Sequence, residues 1–466
     1  MKHWRQALHL EPPDGWLNDP NGLCRFGGLY HVYFQYSPGP PDGSGPRGWG
    51  HFESPDLLHW RCTGTALRPD TPADRSGVYS GSAVAEGDTL WLYYTGNVKL
   101  PGPYDYTTAG RESNVLRVST RDGVTFTPKE LLLTTADYPA NCSLHVRDPK
   151  VWRQGDVWYL LLGARTRQPG DDGGKDTARG EALLYRSADG RRWDFWKAVT
   201  TPAPFGYMWE CPDWFVLGGR GVLSVSPQGL PHGENRFQNV YQSGWFAAGA
   251  PGEEALGAFT EWDMGFDFYA PQTFADGDRR LLIGWMGMPE APYRNATAAP
   301  GGWQHCLTLP RELHWNEQGK LCQTPARELD ALRAAPRNLA DGEPAALALP
   351  FEVCAQFAPG ADWALTLADG LCLSWDESAR QITLRFDEKR QDLGAGRTVR
   401  RALLPDGCRD LRLIADRASA EFYLNGGETV FSTRLYPPPG PVRCRLCGAA
   451  ARLTPLNSME VVYDGR

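Results

Sequence analysis

Gly27-Gly28-Leu29-Tyr30-His31-Val32-Tyr33-Phe34 joins two glycines to a run that is apolar or aromatic at every position but His31. Glycine accepts the backbone of a tight turn, and β-branched and aromatic residues suit a pleated, buried strand, so the stretch reads as a turn feeding a strand. The unit returns as Gly87-Asp88 before Leu90-Trp91-Leu92-Tyr93-Tyr94, Gly155-Asp156 before Val157-Trp158-Tyr159-Leu160-Leu161, Gly218-Gly219 before Val222-Leu223-Ser224-Val225, and Gly277-Asp278 before Leu281-Leu282-Ile283-Gly284-Trp285. The starts at 27, 87, 155, 218 and 277 are separated by 60, 68, 63 and 59 residues. A second element keeps phase with the first: Asp56 with Trp60, Asp122-Gly123 with Phe126, and Asp189-Gly190 with Trp193, each aromatic four positions after its Asp. Units of this size, each a small antiparallel sheet too exposed to stand alone, predict a β-propeller, and five copies predict five blades.

The repeat stops after Leu307-Thr308-Leu309-Pro310-Arg311-Glu312-Leu313. Leu329 and Leu332 within Ala326–Arg333 have helical spacing and predict a short connecting helix. Further on, Leu371–Trp375, Gln381–Phe386 and Ala420–Leu424 alternate as half-buried strands do, which predicts a sandwich. The expected organisation of the 466 residues is a propeller over 1–322, a linker with a short helix over 323–340, and a C-terminal β-sandwich over 341–466. The class is all-β, in keeping with 52 Gly, 38 Pro and 54 Trp, Tyr and Phe residues, 18 of each.

A net charge of −7 without charge blocks speaks against nucleic acid and anionic membrane surfaces, and favours a neutral or locally bound small ligand. The start has no apolar run of signal-peptide length, and nothing later approaches a membrane span, so a cytoplasmic location is expected. Eleven cysteines without framework spacing agree with a reducing compartment. Cys444 and Cys447 read as thiols on a late strand rather than a metal site, since no second pair or nearby His accompanies them.

Three carboxylates stand in unusual settings at one phase of the repeat: Asp19 in Trp16-Leu17-Asn18-Asp19-Pro20-Asn21-Gly22, Asp148 in Arg147-Asp148-Pro149-Lys150, and Glu210 in Trp209-Glu210-Cys211-Pro212-Asp213. Asp19, Ser80, Asp148, Glu210 and Asp267 precede their turn glycines by 8, 7, 7, 8 and 10 residues, which predicts that each lies on the first strand of its blade. In a propeller that strand lines the central channel, so these residues would converge at one polar funnel. Paired carboxylates there are what glycosidic cleavage needs: one protonates the departing oxygen while the other attacks the anomeric carbon or activates water. Arg147 is expected to keep Asp148 ionised. The apolar neighbours of Glu210 are expected to raise its pKa as a general acid requires, leaving Asp19 as nucleophile. His51 and His305 read as structural hydrogen bonders, and Asp213 and Asp267 as supporting or sugar-binding residues. No metal or other cofactor is expected.

With these residues in view, the chain resembles the β-fructofuranosidases of glycoside hydrolase family 32 over nearly its whole length. The matching stretches are Trp16–Gly22, Phe34-Gln35-Tyr36, Trp49-Gly50-His51, Tyr79-Ser80-Gly81-Ser82-Ala83-Val84, Arg147–Lys150, Glu210–Asp213, Asp267-Phe268-Tyr269-Ala270 and Leu307–Leu313. The resemblance implies a five-bladed propeller with a C-terminal sandwich and a retaining two-step mechanism. Asp19 would be nucleophile, Glu210 acid and base, and Asp148 the residue that binds fructose hydroxyls and steadies the transition state. It also implies a fructose pocket lined by Asn18, Gln35, Trp49, Tyr79, Ser80 and Arg147, with Tyr269 and Trp285 as walls.

The resemblance leaves three activities open. Hydrolysis of sucrose or sucrose 6-phosphate comes first, with Arg47, Lys99 and Arg111 as rim candidates for a phosphate. An exo-acting fructanase or transfructosylating relative comes second, and a non-catalytic sugar-binding propeller third. Leu17 stands where Met is more usual, and Ser37-Pro38 follows Gln35-Tyr36 where His or Asn often precedes the proline. No catalytic constellation occurs in the C-terminal region, whose expected role is buttressing or contact between copies in a homo-oligomer.

Overall fold

A computed structural model describes residues 1–167, 177–253 and 255–464. Among them the protein is almost entirely β, with one four-residue α-helix, Gln391–Gly394, and a few 3₁₀ turns. Five sheets of four principal strands follow one another in the chain, and two six-stranded sheets come after them.

The five sheets open with strands Gly15–Phe26, Val78–Glu86, Cys142–Gln154, Met208–Leu217 and Tyr269–Asp276. Each pairs antiparallel with the strand that follows it. The turn glycines of the repeat sit in these hairpins, with φ of 58° at Gly27, 60° at Gly87, 60° at Gly155, 55° at Gly218 and 63° at Gly277, which a residue with a Cβ adopts only at a cost. The second repeated element is a set of side-chain-capped turns. Asp56 Oδ1 accepts from the amides of Leu58 and His59, Asp122 Oδ1 from Val124 and Thr125, and Asp189 Oδ1 from Arg191 and Arg192. These turns also join neighbours: the Tyr33 hydroxyl of the first sheet donates to the Gly123 carbonyl of the second at 2.7 Å, and Tyr93 of the second sheet donates to Gly190 of the third at 3.3 Å.

The opening strands pack in a closed cycle, each against the next and the last, Tyr269–Asp276, against the first. Aromatic side chains fill the seams, Trp49 and Trp209 with no exposed surface among them. Burying a side chain of this size contributes on the order of 4–6 kcal/mol before entropy is counted. Close approach is built into the sequence at Gly163, where a Cβ would stand 2.1 Å from the Trp209 carbonyl. Only glycine lets the third sheet come this near the backbone that carries Glu210.

The fifth sheet runs through strands Arg311–Trp315 and Leu321–Pro325, so its last strand continues past residue 322. The expected helix is a 3₁₀ turn, Arg327–Leu332, burying Leu329 and Leu332. Spacing of three residues eclipses side chains in a 3₁₀ turn, so the same pair satisfies either helix. The two six-stranded sheets bury one another through Leu365, Leu373, Leu384, Leu413 and Phe422.

Strand Ser419–Leu424 is buried on both faces, not half-buried. Its outward residue Glu421 accepts from His9 Nε2 at 3.0 Å and Arg311 Nη2 at 2.7 Å, and Arg311 also reaches Asp263 Oδ2 at 3.1 Å. A polar alternation that reads as solvent-facing in sequence therefore faces an ionic seam with the first five sheets. The chain's last strand, Glu460–Tyr463, leaves the C-terminal sheets and pairs parallel with His59–Leu67 of the first sheet.

Candidate active site

Four of the five aligned polar residues lie on the opening strands. The fifth, Asp267, falls two residues before its strand, and Tyr269 begins it. Asp267 is instead clamped by Arg397, whose Nε and Nη2 each lie 2.7 Å from its carboxylate. Asp213 is structural, accepting from the Thr273 amide at 2.6 Å and facing Lys150 at 2.9 Å, whereas Asp267 lines the same cavity as Asp19 and Glu210.

Asp19 sits at an irregularity in strand pairing between Leu17 and Pro20. Its amide donates to Asn18 Oδ1 at 2.6 Å, and Asn21 holds the turn by donating to the Asp19 carbonyl and accepting from the Gly81 amide of the second sheet. Ser80 Oγ donates to Asp19 Oδ2 at 2.6 Å. Asp148 takes φ of 65°, and its amide donates to Thr95 Oγ1 at 2.8 Å. Cys211, also at positive φ, donates its amide to Asp148 Oδ2 at 2.9 Å, and its Sγ lies 3.7 Å from both Asp19 Oδ2 and Asp148 Oδ2. One residue beside Glu210 thus touches the other two carboxylates, and acids 129 and 62 residues apart in the chain meet.

The surroundings of Glu210 differ from expectation. Arg147 Nη2 and Nε lie 2.5 and 3.1 Å from its Oε1, while Gln228 Nε2 and the Tyr269 hydroxyl donate to Oε2 at 2.7 and 2.6 Å. The carboxylate is surrounded by donors even though the residues next to it in sequence, Trp209 and Cys211, are apolar. Arg147 reaches Asp148 only at 3.8 Å. Burial therefore outweighs Arg147 at Asp148 and raises its pKa to about 6, where the sequence predicted a firmly ionised group. Asp19 rises to about 7, through burial first and then the charges of Asp148 and Glu210, against the lowering effect of Ser80.

Asp19 and Glu210 open onto a cavity of about 500 Å³, within the range for small-molecule sites. Asn18, Tyr269 and Trp285 line it as well, as do Trp16, Gln228, Tyr241 and His305, which sequence reading did not select for the pocket. Trp16, Tyr269 and His305 ring Trp285 edge-on at 6.2, 6.2 and 4.8 Å. His305 keeps a structural contact, with Asn295 at 3.3 Å.

The chain matches the family model "Glycosyl hydrolases family 32 N-terminal domain" over residues 9–325, and "Glycosyl hydrolases family 32 C terminal" over 367–462. The chain belongs to glycosyl hydrolase family 32. Among its relatives in the family, the sucrose-6-phosphate hydrolase of Bacillus subtilis is 36% identical across 94% of this chain and 90% of its own length, and that of Klebsiella pneumoniae 39% across 92% and 88%. The β-fructofuranosidase of Bombyx mori, solved in complex with sucrose, superposes with a TM-score of 0.85 at 30% identity, covering 99% of this chain and 95% of that one.

Not every residue that the family 32 resemblance assigned to the pocket reaches it. Trp49 is wholly buried and acts from behind, its indole donating to the Tyr79 carbonyl at 3.1 Å. Gln35 lies behind Ser80, with Oε1 at 3.5 Å from the Ser80 hydroxyl and Nε2 donating to the Val78 carbonyl at 2.7 Å. Among the described residues, His31, His51 and Glu53 are close enough together to hold a metal ion. Their ring nitrogens are already engaged, His31 Nδ1 with His51 Nε2 at 3.0 Å, His31 Nε2 with the Phe26 carbonyl at 3.2 Å, and His51 Nδ1 with Thr63 at 2.9 Å, so the group is a buried polar network.

Proposed function

We propose that the chain is a retaining β-fructofuranosidase that releases fructose from sucrose or sucrose 6-phosphate. Asp19 attacks the fructosyl C2 while Glu210 protonates the departing oxygen. Glu210 then takes a proton from the water that frees the sugar, and Asp148 accepts hydroxyl hydrogens of the fructose ring. The observation that carries this reading is the position of Cys211, bonded to Asp148, in contact with Asp19 and covalently next to Glu210. Three carboxylates beside one guanidinium form a site of net negative charge, which favours the oxocarbenium-like cation as it develops. The Trp285 indole N–H, buried with no hydrogen-bond partner among the described residues, is available to a sugar hydroxyl in the cavity.

We read the five sheets as five blades of a propeller that runs through Pro325, followed by a short connector and a sandwich, opening with strand Arg337–Leu339, that braces it. No described helix is long and apolar enough to cross a membrane. We place the enzyme in the cytoplasm, and the sandwich remains the surface for any contact between copies. The reading is tested by assaying fructose release from sucrose, sucrose 6-phosphate, inulin and levan, with Asp19→Asn and Glu210→Gln alongside. Turnover should occur on the first two substrates and vanish in both variants. Release confined to the polymers would favour the exo-fructanase reading, and retained turnover in either variant would remove that residue's role.

A further inference from the structure

The cycle of opening strands has a second mouth. Asp19 and Glu210 come early in their strands, and later residues of all five opening strands line another cavity, of about 610 Å³. The two mouths differ in charge. Asp19, Asp42, Glu210, Asp267 and Glu290 line the catalytic cavity, with Arg47 as its one cation among the described residues. Arg25, Lys150, Arg153 and Arg280 line the second, and no carboxylate does so among the described residues. A chain of net charge −7 thus gathers four cations at one opening.

Two of the four answer to acids outside the cavity lining. Arg25 Nη1 lies 2.6 Å from Asp276 Oδ1, and Arg153 Nη1 lies 2.7 Å from Glu86 Oε1. The other two share a single acid. Lys150 Nζ lies 2.9 Å from Asp213 Oδ1, while Asp213 Oδ2 accepts from the Thr273 amide and hydroxyl at 2.6 and 2.7 Å. Arg280 forms no ion pair among the described residues. Its Nη1 donates to Thr273 Oγ1 at 3.5 Å, its guanidinium stands 4.9 Å from the Phe215 ring centre, and the carboxylate whose charge reaches it is again Asp213. Burial lowers the Lys150 pKa against the pull of Asp213, and the charge of Arg280 lowers it further. One positive charge is left over at a half-buried place, which is costly until a counter-ion reaches it.

The walls supply the rest of a site. Trp152 lines the cavity with its indole N–H buried and without a hydrogen-bond partner among the described residues. Its ring stacks on that of Trp214, another lining residue, at 5.1 Å, and the pair offers a flat apolar face.

We propose that this second mouth binds a small organic oxyanion, a carboxylate or a phosphate ester, with Lys150 and Arg280 on its anionic group and Trp152 and Trp214 beside its carbon body. A guanidinium without a carboxylate of its own can give N–H donors to two oxygens at once, and the ammonium beside it adds a point charge. Arg280 is not among the residues that line the catalytic cavity, so this site is separate from the one that cleaves sugar.

The test is calorimetry at constant ionic strength, with inorganic phosphate and succinate titrated separately into the unmodified chain, Arg280→Met, Arg280→Lys and Arg47→Met. At least one anion should bind at a single site, and the tighter of the two identifies the headgroup. Its Kd should rise at least tenfold in Arg280→Met, recover in part in Arg280→Lys, and stay within twofold in Arg47→Met. If Arg280→Met does not fold, Arg280→Gln, which keeps a donor for Thr273, is titrated in its place. Binding of neither anion to the unmodified chain, or equal affinity in the variant without the Arg280 charge, would overturn the proposal. Loss of binding in Arg47→Met alone would place the anion in the catalytic cavity and overturn it as well.

Discussion

Arg147 Nη2 sits 2.5 Å from Glu210 Oε1, although the carboxylate beside it in sequence is Asp148. Positive φ at Asp148 turns the two neighbours apart and hands the guanidinium to the next sheet. Two nitrogens of the planar group contact one oxygen, a geometry that an ammonium cannot reproduce. Arg147→Lys should lower kcat/KM by about 10–100-fold with Tm little changed, part of the roughly 10²–10⁴-fold that a positioned general acid–base contributes. A loss under twofold would show the pairing to be incidental.

Ser80 stabilises the ionised form of Asp19 by donating to it. A nucleophile must be ionised, so kcat/KM should fall on the acid side as Asp19, at about 7, and Asp148, at about 6, gain protons. Removing the donor in Ser80→Ala raises the Asp19 pKa and should move this limb to higher pH. A limb that stays in place or moves down would contradict the role of Asp19.

Asp19 also links stability to pH. Its folded pKa of about 7 lies above the unfolded value of 3.8, so the folded state holds a proton that the unfolded state has released. Stability from this group is therefore greatest at low pH and declines between about 4 and 7. Asp19→Asn removes that decline. Its Tm should exceed that of the unmodified chain by several degrees at pH 8, and the difference should shrink towards pH 4 in thermal scans.

The ionic seam under the C-terminal sheets predicts a different kind of lesion. Glu421 and Arg311 are both fully buried, and removing one charge strands the other, at a cost of about 3–5 kcal/mol. Glu421→Gln should lower Tm clearly while kcat, measured well below the transition, stays within twofold. His9 contributes in the same place. Its pKa is raised from 6.5 to about 9 by Asp416 and Glu421 against its burial, so its stabilisation is complete below pH 6.5 and is lost as pH rises through 9.

The turn glycines and the Asp-capped turns made the sheet repeat legible, because positive φ and side-chain capping are local demands that sequence states directly. The three carboxylates were legible for the same reason, each lying seven or eight residues before such a turn. Gln228 and Tyr241 were not, because they enter the cavity from strand ends and loops with no fixed phase. Arg147 was only partly read, because sequence adjacency pairs it with Asp148, which it reaches at 3.8 Å, while its closer partner Glu210 lies on the next sheet. Glu421 was misread because its partners, Arg311 and His9, lie 110 and 412 residues away, and alternation alone cannot tell water from a charged interface.

The parallel pairing of Glu460–Tyr463 with His59–Leu67 puts the first sheet and the end of the chain into one hydrogen-bonded ladder. During synthesis the sheet that presents Asp19 can begin to form early, yet its outer edge stays uncovered until residue 463 has emerged from the ribosome. A premature stop a few codons short of that point would leave all the catalytic side chains in the product and still expose a strand edge open to pairing with other chains.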